Sequence, residues 1–201
     1  MEYNLGDIYE SLVDVVGDRE ALVFEDQRLT FADLEAVANR LAHHLQSVGV
    51  QPGDHVGVQL YNCVEYVATM VACFKVRAVP VNVNYRYVEE ELLYLFNDAD
   101  LVALVHDVEF TPRINAVRDR APKLKSFISV GEGEAPEGAI DWNEALAAQS
   151  PAREGFPQRS SVSTQLNRRS NSARSRCDAS VPKPSRREFA ASSACSEVAS
   201  T

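Results

Sequence analysis

The chain has 201 residues, a formal net charge of -9, 45% hydrophobic and 24% charged residues. These averages exclude a collagen-like, coiled-coil or disulfide-scaffold chain, and no apolar run approaches the ~18 residues of a membrane span. They also conceal two unlike pieces. Residues 1–150 carry 25 Asp and Glu against 11 Lys and Arg, whereas residues 151–201 carry 4 against 9. The acidic body is long enough to bury roughly 70% of its unfolded surface, and its charge argues against nucleic acid as its partner. Cys63, Cys73, Cys177 and Cys195 show no metal-ligand spacing. Cys63 and Cys73 read as small apolar residues of a helix in a reducing, cytoplasmic setting. The acidic start, Met1 to Asp7, has no apolar signal segment.

In chain order, residues 6–16 predict a short amphipathic helix with Ile8, Leu12, Val15 and Val16 on one face. Residues 21–24 and 28–30 predict a small hairpin around a polar turn. Thr30 caps the next helix, with Asp33 three residues on. Phe31, Leu34, Val37, Leu41, Leu45 and Val48 recur at helical spacing before Gly49 ends it. Val56, Val58 and Leu60 alternate as a strand. Asn62 and Glu65 form a capping-box pattern for a third helix, with Val64, Val67, Met70, Val71 and Phe74 on its apolar face. Residues 78–83 predict a strand, 88–96 a helix, 101–105 a strand and 111–120 a helix with Pro112 in its first turn. Residues 126–130 predict another strand, 131–138 an acidic loop and 141–148 a last short helix. Strands separated by helices pair in parallel through right-handed crossovers. The expected fold class is therefore α/β, with alternating strands and helices and a mainly parallel layered sheet.

Residues 154–201 read as a disordered Arg/Ser-rich tail behind a folded region of residues 1–153. Residues 151–201 contain 12 Ser and 8 Arg, with only Phe156, Val162, Leu166, Val181, Phe189 and Val198 as large apolar residues. No period of 2 or 3.6 orders them, and such composition cannot offset the backbone entropy of folding.

The body resembles the N-terminal part of the adenylate-forming enzymes, specifically the acyl-CoA synthetases among the AMP-dependent synthetase/ligases. The residues that carry the resemblance are Arg28 to Leu34, Ala38 to Ala42, Gly49 to Val56, Asn62 with Glu65, and Ala78 to Tyr87 with Glu91-Leu92. One departure is Arg77, where the family pattern has Gly; a side chain there is unfavourable if the backbone needs a positive φ. The resemblance implies activation of a carboxylate, such as a fatty acid, with ATP and Mg²⁺ to an acyl-adenylate, then transfer to coenzyme A. That chemistry needs a Gly/Ser/Thr-rich phosphate loop and a catalytic Lys. Both lie beyond the matched segment in the family pattern, as do the adenine- and ribose-binding residues. No catalytic, cofactor-binding or metal-binding residue is therefore assigned to any position here, and no cofactor is expected for this fragment.

The match, the periodicity and the charge sign all change near residue 160. A frameshift there is the expectation, and one of the other two reading frames of the coding DNA should then yield the Thr/Gly-rich loop shortly downstream.

Other patterns have plain readings. Gly131-Glu132-Gly133 follows a strand, but Glu132, Glu134 and Glu137 would repel phosphate, so a surface loop is expected. His43 and His44 are adjacent on a helix and so do not face one ligand. His106-Asp107 at a strand end is read as a loop contact, although α/β folds place ligand residues there. Asn82, Asn84, Tyr85 and Arg86 are read as packing and loop-orienting residues. The leading expectation is a truncated acyl-CoA synthetase-like ligase of lipid or carboxylate metabolism, inactive alone. The alternatives are a non-catalytic module that self-associates through an exposed sheet face and, more weakly, a nucleic-acid-binding Arg/Ser tail.

Overall fold

The computed structural model of the chain describes residues 4–156. The segment read as a disordered, nucleic-acid-binding or out-of-frame tail therefore lies, from residue 157 on, outside the described residues.

Helix α1 (Leu5–Val16) leads into a hairpin of β1 (Glu20–Phe24) and β2 (Gln27–Thr30), then α2 (Phe31–Ser47). β3 (His55–Gln59), α3 (Val64–Val76), β4 (Val79–Asn82), α4 (Glu89–Asp98) and β5 (Leu101–Asp107) alternate as expected. α5 (Thr111–Val117), β6 (Ser126–Val130), β7 (Ile140–Asp141) and α6 (Trp142–Ala147) complete the described chain. β1 and β2 pair antiparallel, while the other strands form one five-stranded sheet of order β4-β3-β5-β6-β7, parallel throughout. Both faces of that sheet are covered. Val56, Val58, Ala103, Val105 and Ile128 pack beneath α2, α3 and α6. Leu101, Leu104 and Phe127 pack on the other face against Leu92 and Phe96 of α4 and Ile114 of α5.

The strongest local signal is the start of α2. The Thr30 side chain accepts from Asp33 N–H at 3.1 Å, and Asp33 returns a bond from Thr30 N–H at 3.0 Å. Two orphan donors are thereby satisfied by neighbours in sequence. The same reasoning fails at α3. Its cap position is Cys63 rather than Asn62, and no side chain caps it. Glu65 consequently falls one position too early for a capping box. β5 also runs two residues past its expected end, because its ladder with β3 and β6 continues to Gln59, Ser129 and Val130. β7 was not expected; it is only two residues long and is recruited by parallel pairing with β6.

α1 docks by a face other than its apolar stripe. Gly6 and Val13 are buried, whereas Ile8 is 52%, Leu12 43% and Val15 81% exposed. The reason is backbone proximity. A Cβ on Gly6 would lie 2.9 Å from the Phe74 carbonyl oxygen of α3, so the helix meets α3 where it has no side chain. Exposed apolar side chains thus cluster on α1, with others scattered singly, Val79 of β4 among them.

After α6, residues 149–156 run back along α2, and Phe156 is buried in the α2/α3 core cluster. Residues 154–156 accordingly pack on the folded body, although composition alone grouped them with the tail.

Arg77 ends α3 at φ 62°, ψ 25°, in the left-handed region. The residue after it, Ala78, donates to the Cys73 carbonyl at 2.9 Å, and the Arg77 carbonyl accepts from Gly53 N–H at 2.8 Å. The sharp turn into β4 therefore needs this conformation, which costs an L-residue roughly 1–2 kcal/mol. Arg77 also pairs with Asp7 at 3.6 Å. Arg77→Gly and Arg77→Val both lose that pair, so their difference isolates the backbone. We expect the valine variant to be less stable than the glycine variant by about 1 kcal/mol or more in urea denaturation.

Candidate functional site at the switch point of the sheet

The chain leaves β3 through α3, on one face of the sheet, to reach β4. It leaves β4 and β5 through α4 and α5 on the opposite face. β3 and β5 are nevertheless neighbours. The connections that follow these two strands therefore diverge to opposite faces, which is the topological switch point at which open α/β sheets bind ligands.

The register places Gln59 beside His106, and His106 beside Ser129. Strand alternation sends all three toward the α4/α5 side. Gln59 and His106 are fully buried, and neither Gln59 amide atom nor His106 Nε2 has a protein partner among the described residues. His106 Nδ1 lies 2.9 Å from the Asp107 carbonyl oxygen. Nδ1–H donating there leaves Nε2 as the acceptor nitrogen. The Ser129 hydroxyl donates to the Ile140 carbonyl at 3.3 Å. The row thus presents an amide, a neutral imidazole and an engaged hydroxyl, all buried, and it contains no nucleophile bonded to a base.

The rim is aromatic. Tyr61, just beyond β3, lies 4.9 Å from Tyr85 and 5.4 Å from Phe110 between ring centroids. The Arg86 guanidinium sits 5.4 Å from the Tyr85 ring, and Arg113 donates to the Tyr85 and Tyr87 carbonyls. Asn84 accepts from Arg86 N–H at 2.9 Å, an Asx turn that orients this loop. Asn82 is exposed at the end of β4.

The remaining sequence candidates separate. His106 is not a loop contact but an interior strand residue, and Asp107 caps the following turn by accepting from Glu109 N–H at 2.8 Å. His43 turns toward residues 149–156, 3.0 Å from the Ala152 carbonyl oxygen, while His44 is buried elsewhere. Gly131 and Gly133 lie in an exposed loop, both at positive φ. Burial pushes the Cys63 thiol up to about 11 and the Cys73 thiol to about 12, so both stay protonated and behave as small apolar groups. Gln59 was missed by sequence reasoning. Its only signal was its place as the last alternating position of β3.

The described fold superposes on part of a solved acid–CoA ligase. The sequence model described as AMP-binding enzyme matches residues 10–182, past both the described residues and the boundary expected after residue 153. The chain belongs to the AMP-binding enzyme family. It is 42% identical over 164 residues to the 3-oxocholest-4-en-26-oate–CoA ligase of Rhodococcus rhodochrous, covering 80% of this chain and 29% of that protein. It is also 42% identical over 155 residues to the medium/long-chain-fatty-acid–CoA/3-oxocholest-4-en-26-oate–CoA ligase of Mycobacterium marinum, covering 75% and 28%. Among solved structures, the anthranilate CoA ligase AuaEII in complex with anthranoyl-AMP superposes with a TM-score of 0.71 at 29% identity, over 75% of this chain and 29% of that one. The chain thus spans under a third of the length of these relatives.

Burial holds the His106 imidazole below its ordinary value of 6.5, and it does the same to His44. The unfolded chain then binds more protons than the folded one as pH drops. Stability is full above pH 6.5 and falls as pH decreases through that value toward the depressed folded values. Each histidine contributes a slope of at most ~1.4 kcal/mol per pH unit. Urea midpoints measured between pH 7.5 and 5 should decline for the wild type and decline less steeply for His106→Gln.

Proposed function

We propose that this chain is the N-terminal part of an ATP-dependent acid–CoA ligase and that these 201 residues are inactive by themselves. The observation that carries the reading is the match itself: 42% identity to ligases of which the chain spans 29%. The switch-point row supports it, since its groups are neutral, whereas adenylation must offset the charge of ATP phosphates. In the whole enzyme, ATP, Mg²⁺ and coenzyme A would be engaged by residues beyond those described. The substrate class is a carboxylate on a lipid body, a steroid side-chain acid or a medium- to long-chain fatty acid, following the names of the relatives. A cytoplasmic setting fits the free Cys63 and Cys73 and the absence, among the described residues, of any helix long and apolar enough to cross a membrane. Carboxylate-dependent ATP–pyrophosphate exchange is the test. The purified chain should show none with palmitate or a steroid acid, and measurable exchange would refute the inactivity.

A second reading, self-association, is favoured by the exposed Leu5, Ile8, Leu12 and Val15 stripe on α1. Light scattering coupled to size-exclusion chromatography should then give a defined dimer that Leu12→Lys with Val15→Lys converts to monomer. A wild-type monomer removes this reading.

A further inference from the structure

Residues 149–156 are held in a specific way. Four side chains of α2 reach out to their main chain. Arg40 donates to the Gln149 carbonyl at 2.8 Å, and Asn39 to the Pro151 carbonyl at 2.7 Å. His43 Nε2 lies 3.0 Å from the Ala152 carbonyl oxygen, and Gln46 donates to the Gly155 carbonyl at 3.1 Å. Asn39, His43 and Gln46 follow one another at spacings of four and three, so they lie on one face of the helix. Their targets are carbonyl oxygens, which every sequence carries.

Identity is read by two side chains. Arg153 places its fork on Glu35, Nε to Oε1 at 2.8 Å and Nη2 to Oε2 at 2.7 Å, and its Nη1 on Asp14 at 2.6 Å. Glu35 is buried and also receives the fully buried Lys75 at 2.9 Å. Phe156 stacks on His43 with centroids 4.5 Å apart and lies 5.6 Å from the Lys75 ammonium.

We propose that this face of α2 is a binding site for an extended peptide of pattern Arg-x-x-Phe, and that residues 149–156 are its tethered occupant. A bidentate guanidinium socket, an aromatic seat and a row of carbonyl readers are the parts of a peptide-recognition groove. The occupant is kept by its tether, which supplies an effective concentration in the millimolar range for a short link. The site recognises this segment independently of any ligase activity.

The test uses the full chain carrying Arg153→Ala and Phe156→Ala, which empties the socket and the seat. A fluorescein-labelled peptide of residues 147–158 should bind this variant saturably in an anisotropy titration and bind the wild type at least tenfold more weakly. The same peptide with alanine at 153 and 156 should bind at least tenfold more weakly than its parent. Far-UV circular dichroism reports the fold, and Phe156→Ala alone is the milder host should the double variant unfold. No saturable binding to a folded variant, equal binding to the wild type, or equal binding by the alanine peptide would each overturn the proposal. Unfolding of both variants would overturn it too, because the segment would then be an inseparable part of the core.

Discussion

β3 must pair in parallel with β4 on one side and β5 on the other. No tight turn can connect parallel neighbours, so each pairing requires a helical crossover. Crossovers are right-handed, and the step from β3 to β4 and the step from β4 back past β3 to β5 run in opposite directions, which puts α3 on one face and α4 on the other. Two core clusters, one per face, follow from this constraint. So does the divergence of the connections that follow β3 and β5. The polar row of Gln59, His106 and Ser129 occupies that divergence because the register leaves these three side by side at the ends of their strands.

A second organising element lies away from the sheet. Lys75 of α3 is fully buried between Glu10 of α1 and Glu35 of α2, and Arg153 joins Glu35 to Asp14 of α1. Removing one charge from such a cluster would leave another buried without its partner, so its members act as a unit. This is why an exposed apolar stripe on α1 is compatible with a well-placed helix. α1 is held by close backbone approach at Gly6, by burial of Val13 and packing of Tyr9 against the core, and by charge, rather than by burying its Ile8, Leu12 and Val15 stripe.

Most of the element order was legible because its signals are local. Thr30 and Asp33 are three residues apart, and the apolar repeat of α2 closes on itself without reference to the rest of the chain. The conditional concern at Arg77 was equally local, and the backbone there does take a positive φ. The readings that moved depend on partners distant in sequence. The Asn62–Glu65 pattern gave way to a start at Cys63. His106 looked like a loop residue because nothing nearby announces that Gln59 and Ser129 extend its ladder. Lys75 reads as an ordinary polar position of a helix, and only its distant carboxylates explain its burial.

By itself, then, the sequence determined the α/β alternation, the start of α2, the family resemblance and the chemical break near the chain's last quarter. Periodicity, capping and composition are properties of neighbouring residues, and they survive without coordinates. The tertiary structure alone decided the strand order, the location of the switch point, the neutrality of the row inside it and the seating of residues 149–156 on α2. These depend on contacts such as Arg153 with Glu35, 118 residues apart, which no local pattern encodes.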